Sequence, residues 1–152
     1  MTEQQRLISL FEKLYNGSPW IDVNLVSVLE PITATQASQR VLPNCNTIWE
    51  ITNHLIAWHQ NVLQRVNGKI IKTPSSNYFE PVKDTSDQAW HHTLELLKET
   101  QEQWIRFLKN FQTSQFETLY EVNKMTYHEH IQGILQHDCY HLGQIVLLAK
   151  QF

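Results

Sequence analysis

Apolar residues recur three and four positions apart in four separate stretches of this chain, and polar or turn-forming residues break the pattern between them. The first stretch carries Leu7, Leu10, Phe11 and Leu14, and the second Ile48, Ile51, Leu55, Trp58, Val62 and Val66. The third carries Trp90, Leu94, Leu97, Trp104, Leu108 and Phe111, and the fourth Ile131, Leu135, Leu142, Ile145 or Val146, and Ala149. That spacing is the signature of amphipathic helices. Three of the four open with a capping box, in which a threonine caps the first turn and a glutamine or glutamate three residues on reaches back to it: Thr2 with Gln5, Thr47 with Glu50, Thr126 with Glu129. Asp84 or Thr85 is expected to cap the third. Asn16-Gly17 and Asn67-Gly68 read as helix ends. After the break at Ser18-Pro19, Trp20 to Glu30 reads as a second piece of the first helix, stopped by Pro31.

The connections are long. Residues 32–45 read as a loop with a helical turn near Thr35–Gln39. Gly68 to Lys83 is rich in Pro, Ser and Asn, and its Tyr78-Phe79 pair is placed to cover a pocket. Gln112 to Met125 has no helical period, and the alternation around Phe116 has no second strand to pair with. The simplest expectation is an all-α fold, one domain over 1–152 built as four antiparallel helices with long connecting loops.

Composition narrows the class. The chain has 152 residues, 41% hydrophobic and 11% aromatic, enough for a sizeable core, in which several of the five tryptophans are expected to pack. With a net charge of −3 and no basic block, it lacks the footprint of a nucleic-acid binder. No apolar run is long enough for a membrane span, and the first residues are polar rather than those of a secretory leader. A cytoplasmic protein is the expectation. Its two cysteines, Cys45 and Cys139, form neither a disulfide framework nor a C-x-x-C motif.

Candidate chemistry sits in the fourth stretch. Beside its apolar stripe runs a second one, His130, Ile134, His137 and His141. Residues four apart on a helix stack about 5–6 Å apart at Cβ. His137 and His141 can therefore present two imidazoles to one divalent ion, or form a hydrogen-bonded pair on a partly buried face. His54 shares the apolar edge of the second stretch, and periodicity permits but does not show that it meets the other two. His59 points about 140° away from His54, so one ion does not readily take both. His91 and His92 read as surface residues, His130 as a residue of the pocket mouth, and Cys139 as a small core residue. Gln144 follows His141 on the same face, where it can touch a ligand or simply pack.

HDCYH at 137–141 looks like the zincin H-E-x-x-H with aspartate for glutamate, but Asp138 is shorter and points about 100° away from His137. A role in orienting a histidine or capping a neighbour suits it better.

Three segments in order carry a wider resemblance: LYNGSPW at 14–20, NTIWEITNHLIAWHQNVLQRVNG at 46–68 and IQGILQHDCYHLGQIVLLAK at 131–150. Together they resemble the DinB-like superfamily of bacterial metalloenzymes, the last through its H-D-x-Y-H-x-G-Q-I motif. The resemblance implies a four-helix bundle in that family's own topology, often a homodimer. It also implies a divalent metal ion, usually zinc or nickel, held by His54, His137 and His141. Relatives include transferases that use low-molecular-weight thiols such as bacillithiol or mycothiol. The loops at 68–83 and 112–125, the latter expected near the metal end, match nothing and would decide the substrate.

Three neutral imidazoles leave a divalent charge uncompensated and a coordination position open, as in catalytic rather than structural sites. That position suits a thiol, giving an S-transferase, or water, giving a small-molecule hydrolase. A metal-binding helical dimer without catalysis is the remaining reading.

Overall fold

The computed structural model describes residues 1–152 and is all-helical. Its elements are α1 (Glu3–Asn16), α2 (Leu25–Leu29), α3 (Ala34–Ser38), α4 (Ile48–Val66), α5 (Asp87–Asn110) and α6 (Tyr127–Ala149), with a single 3₁₀ turn at Thr113–Gln115. The three expected capping boxes form, each with its threonine hydroxyl accepting from the residue three on. Two more open the short helices, at Asn24 with Ser27 and Thr33 with Gln36. α5 is capped by Ser86, not Asp84 or Thr85; the Asp84 carboxylate instead accepts from the Ser86 N–H.

The first helix does not resume at Trp20. Asp22 adopts a left-handed backbone at φ 62°, which interrupts any helix, and only Leu25–Leu29 is helical beyond it. Trp20 is 98% exposed, whereas Trp49, Trp90 and Trp104 are buried.

α1, α4, α5 and α6 form the four-helix bundle. Their pairings correct the expected all-antiparallel arrangement. Trp49 meets Trp90 and Thr93, while His59 ten residues on meets Trp104, so α4 and α5 run parallel. Phe11 stacks on Trp104 and Gln4 reaches the Leu108 and Phe111 carbonyls, so α1 runs against α5. His54 meets His141 whereas Gly68 lies by Tyr127, so α6 runs against α4. A parallel pair needs a crossover as long as the bundle. The chain from Asn67 to Ser86, able to span about 3.3 Å per residue, is ample for it. Periodicity is blind to this, because it reports which face is apolar and not which way the next helix points.

The core is two apolar clusters. One contains Leu14, Leu29, Trp49, Ile56, Trp90, Leu97 and Leu142; the other contains Phe11, Val62, Trp104, Leu108, Ile131 and Ile134. Between them the same helices carry His59 and Asn61 on α4, Thr100 and Gln101 on α5, and Asp138 and His141 on α6, all buried. The bundle thus has a polar waist, where buried groups must find partners or remain costly.

The segment 112–125 does not lie near His54, His137 and His141. It packs at the opposite end of the α4–α6 pair, where the Leu119↔Thr126 bridge closes it and the Tyr120 hydroxyl accepts from the Ile71 N–H. No helix is long and apolar enough to cross a membrane.

Candidate metal centre

The waist opens to solvent on one side, and there His54, His137 and His141 converge. One ring nitrogen from each lies within 4.8 Å of the other two. The closest approach is His54 Nε2 to His137 Nε2, 2.9 Å. Ring centroids are 4.9 Å apart for His54 and His137, 4.7 Å for His54 and His141, and 4.5 Å for His137 and His141. Helical spacing brings the α6 pair together, and the antiparallel packing of α4 on α6 adds the third.

Which nitrogens face inward is decided behind the rings. His54 Nδ1–H donates to the Asn77 carbonyl at 2.7 Å, and His141 Nδ1–H donates to Gln144 Oε1 at 2.6 Å. Each leaves an Nε2 lone pair for the cluster, since a neutral imidazole carries one proton. Burial pushes the His54 imidazole down to about 4, against the support of the Asn77 carbonyl, and the neighbouring rings of His137 and His141 add to the shift. Burial also lowers His141, with the Gln144 bond opposing it. Both are therefore neutral at neutral pH, the state a metal ligand requires.

The donor set fits a divalent cation. A tetrahedral zinc ion with Zn–N about 2.0–2.1 Å sets its ligand nitrogens about 3.3 Å apart, inside the 2.9–4.8 Å range these atoms span. At 2.9 Å the two Nε2 atoms are at hydrogen-bond distance, so a His137 ring proton can bridge them when no cation is held there.

The cleft around the trio has a volume of about 440 Å³ and is lined by Asn46, Trp58, Asn77, Phe79, Tyr140 and Gln144 besides the histidines. Phe79 stacks on the His54 ring, with centroids 3.9 Å apart and planes 8° from parallel, so Phe79 of the expected Tyr78-Phe79 cover lines the cleft while Tyr78 does not. Asn77 and Tyr78 both take left-handed backbones, φ 51° and 63°. Two such residues in succession are uncommon, and strain of this kind persists only where the surroundings hold it. Here Trp58 Nε1–H donates to Asn77 Oδ1 at 3.1 Å, and Asn61 Nδ2–H to the Tyr78 hydroxyl at 2.6 Å. The crossover is thereby pinned with the Asn77 carbonyl aimed at His54.

Asp138 does not face the cleft. Its Oδ2 accepts from His59 Nε2–H at 2.7 Å in the core, behind the trio, with Phe11 and Trp104 against the His59 ring. Burial works to raise the Asp138 carboxyl, but the charge and hydrogen bond of His59 and the nearby His137 ring outweigh it, and the group stays below the usual carboxylate range. His59 is thus apart from the trio, as its position on α4 predicts.

Two expectations fail. His130 does not line the cleft: it is buried at the far end of α6 against the Tyr120 ring, with Asn123 Oδ1 3.3 Å from its Nε2. A position almost two turns before His137 aligns in angle but lies about 10 Å away along the axis. Cys139 is exposed, not a core residue, because α6 turns that face to solvent. His91 and His92 are exposed as expected. Sequence reading missed Asn77, the stacking of Phe79 on His54 and the choice of His59 as the histidine that Asp138 holds. A turn-rich crossover has no period to betray it, and a long-range pair leaves no local trace.

Comparison with known proteins adds the family. The family model of the DinB superfamily matches residues 23–145, most of the chain and all three histidines. No curated protein and no solved structure matches.

Proposed function

Because the chain belongs to the DinB superfamily, we propose that it is a divalent-metal-dependent enzyme that transfers a small thiol to an electrophilic substrate, with His54, His137 and His141 holding the ion. The observation that carries this reading is the convergence of three imidazole nitrogens on one point at the mouth of an open cleft. A structural zinc site is closed by four protein ligands, whereas three ligands beside an open cleft leave room for a reactant. A divalent cation held there supplies positive charge that favours the ionised form of a thiol or of water brought to it.

The thiol reading is favoured over the hydrolytic one by what the cleft lacks. No aspartate or glutamate lines it, and Asp138, the counterpart of the zincin base, is turned into the core. Water activated in the zincin manner is served by a carboxylate base. A thiol, with an ordinary pKa near 8.5, ionises with far less help. The chain's own residues do the rest. Asn77 and Gln144 hold the Nδ1 protons of His54 and His141 so that both rings present Nε2. Phe79 and Trp58 form an aromatic wall that shields one side of the reacting centre from water. No lysine or arginine lines the cleft, so the bodies of thiol and electrophile meet amide and aromatic groups rather than charge. Zinc or nickel is the ion proposed, acting in a cytoplasmic homodimer.

The test is turnover by zinc- or nickel-loaded protein of a reactive electrophile in the presence of a panel of low-molecular-weight thiols, bacillithiol and mycothiol included. The expected result is a rate that rises and saturates with one of them. Ester or amide turnover indifferent to every thiol would replace this reading with the hydrolytic one.

A further inference from the structure

The three converging histidines are not equally supported. His54 has its Nδ1 tied to Asn77 and His141 has its Nδ1 tied to Gln144, but His137 Nδ1 is buried and has no partner. The Oδ1 of Asp138, also buried, has no partner either, and the two lie 3.9 Å apart. With its Nε2 given to an ion, His137 carries its proton on Nδ1, and a buried donor then stands unpaired beside a buried acceptor, each a remedy for the other. A closure of about 1 Å brings them to ordinary hydrogen-bond length.

We propose that Asp138 is the positioning residue for His137: its Oδ1 takes the Nδ1–H of His137 while its Oδ2 is anchored by His59. A chain His59–Asp138–His137 then runs from the core to the cleft, and all three converging rings are held from behind by an oxygen. The inference rests on the reading that the trio binds a divalent ion, because only a ring whose Nε2 is committed to an ion must keep its proton on Nδ1. His59 anchors Asp138 at 2.7 Å, with Phe11 and Trp104 edge-on against the His59 ring. A carboxylate behind a ligating histidine also makes that ring a stronger donor.

The experiment measures zinc affinity of the full chain, stripped of metal, by competition with a chromophoric chelator. Asp138→Asn keeps the size of the side chain and removes its charge. It is expected to bind zinc about 10- to 100-fold more weakly than the unaltered chain, with the fold checked by circular dichroism. A residue that served only the core would lower the melting temperature and leave zinc affinity alone. Folded Asp138→Asn binding zinc within threefold of the unaltered chain would therefore overturn the proposal while leaving the metal reading intact. Failure of the unaltered chain to bind zinc would overturn both. Should Asp138→Asn fail to fold, long-range proton–nitrogen spectra of the unaltered zinc-loaded chain decide the matter. The expected result is that His137 carries its proton on Nδ1 and binds through Nε2; a proton on Nε2 with Nδ1 bound would overturn the proposal.

Discussion

α4 and α6 share two polar clusters about a turn apart, each built around histidine and opposite in character. In the His59–Asp138 pair a donor meets an acceptor at 2.7 Å among aromatic rings. In the trio, ring nitrogens meet ring nitrogens, the nearest two 2.9 Å apart, at the mouth of a cleft. The pair is joined by a hydrogen bond of the fold itself, although His59 Nδ1 and Asp138 Oδ1 stay unpartnered, whereas the trio gathers nitrogens that suit a ligand from outside. A histidine's identity therefore says little; what stands opposite its ring, and whether the ring is backed by an acceptor, assigns its role.

The sharpest way to break this contrast is at the trio. His137→Ala is expected to abolish stoichiometric metal in protein purified without a tag, read by elemental analysis, because two imidazoles on different helices do not hold an ion as three do. Full occupancy in that variant would mean that the convergence has no bearing on metal binding.

Breaking the pair has a different signature. His59→Ala leaves the Asp138 carboxylate buried without its donor, which is expected to cost about 3–5 kcal/mol of stability, measured by urea unfolding of metal-free protein. Zinc stoichiometry at saturating metal should stay at one per chain. A variant of unchanged stability would show that the pair is not the buried contact described here.

The smallest effect sharpens the comparison with a histidine that belongs to neither cluster. Burial holds His130 below its ordinary value of 6.5, with the charge of Arg65 adding to the shift. The unfolded chain then binds more protons than the folded one just below pH 6.5, so stability falls as pH drops through that window and is unaffected above it. His130→Gln is expected to flatten the slope of melting temperature between about pH 6.5 and 5, by a modest amount since the ring is one of several titrating there. An unchanged slope would mean that the His130 ring is solvated.

Much of this was legible in the residues alone. Helix starts were written in Thr2, Thr47 and Thr126 with their partners three residues on, because a capping box is a local hydrogen-bonding device. The α6 half of the trio was legible for the same reason, since spacing on one helix is local geometry. Trp20 misled because an apolar residue at helical spacing carries no mark of the left-handed Asp22 that follows it. The 112–125 segment was expected near the metal end, and lies at the other end, because nothing in a loop's composition says which end of a bundle it crosses.

By itself, then, the sequence determined the helices, their apolar faces and the pairing of His137 with His141, all set by interactions within a few residues. Tertiary structure decided that α4 runs parallel to α5 and against α6, and with that which histidines meet. His54 joins the trio, His59 goes to Asp138, and Asn77 arrives from a crossover loop to fix a ring it is nowhere near in sequence. Those outcomes depend on burying two apolar clusters around a polar waist, a condition on the whole chain that no short window of residues expresses.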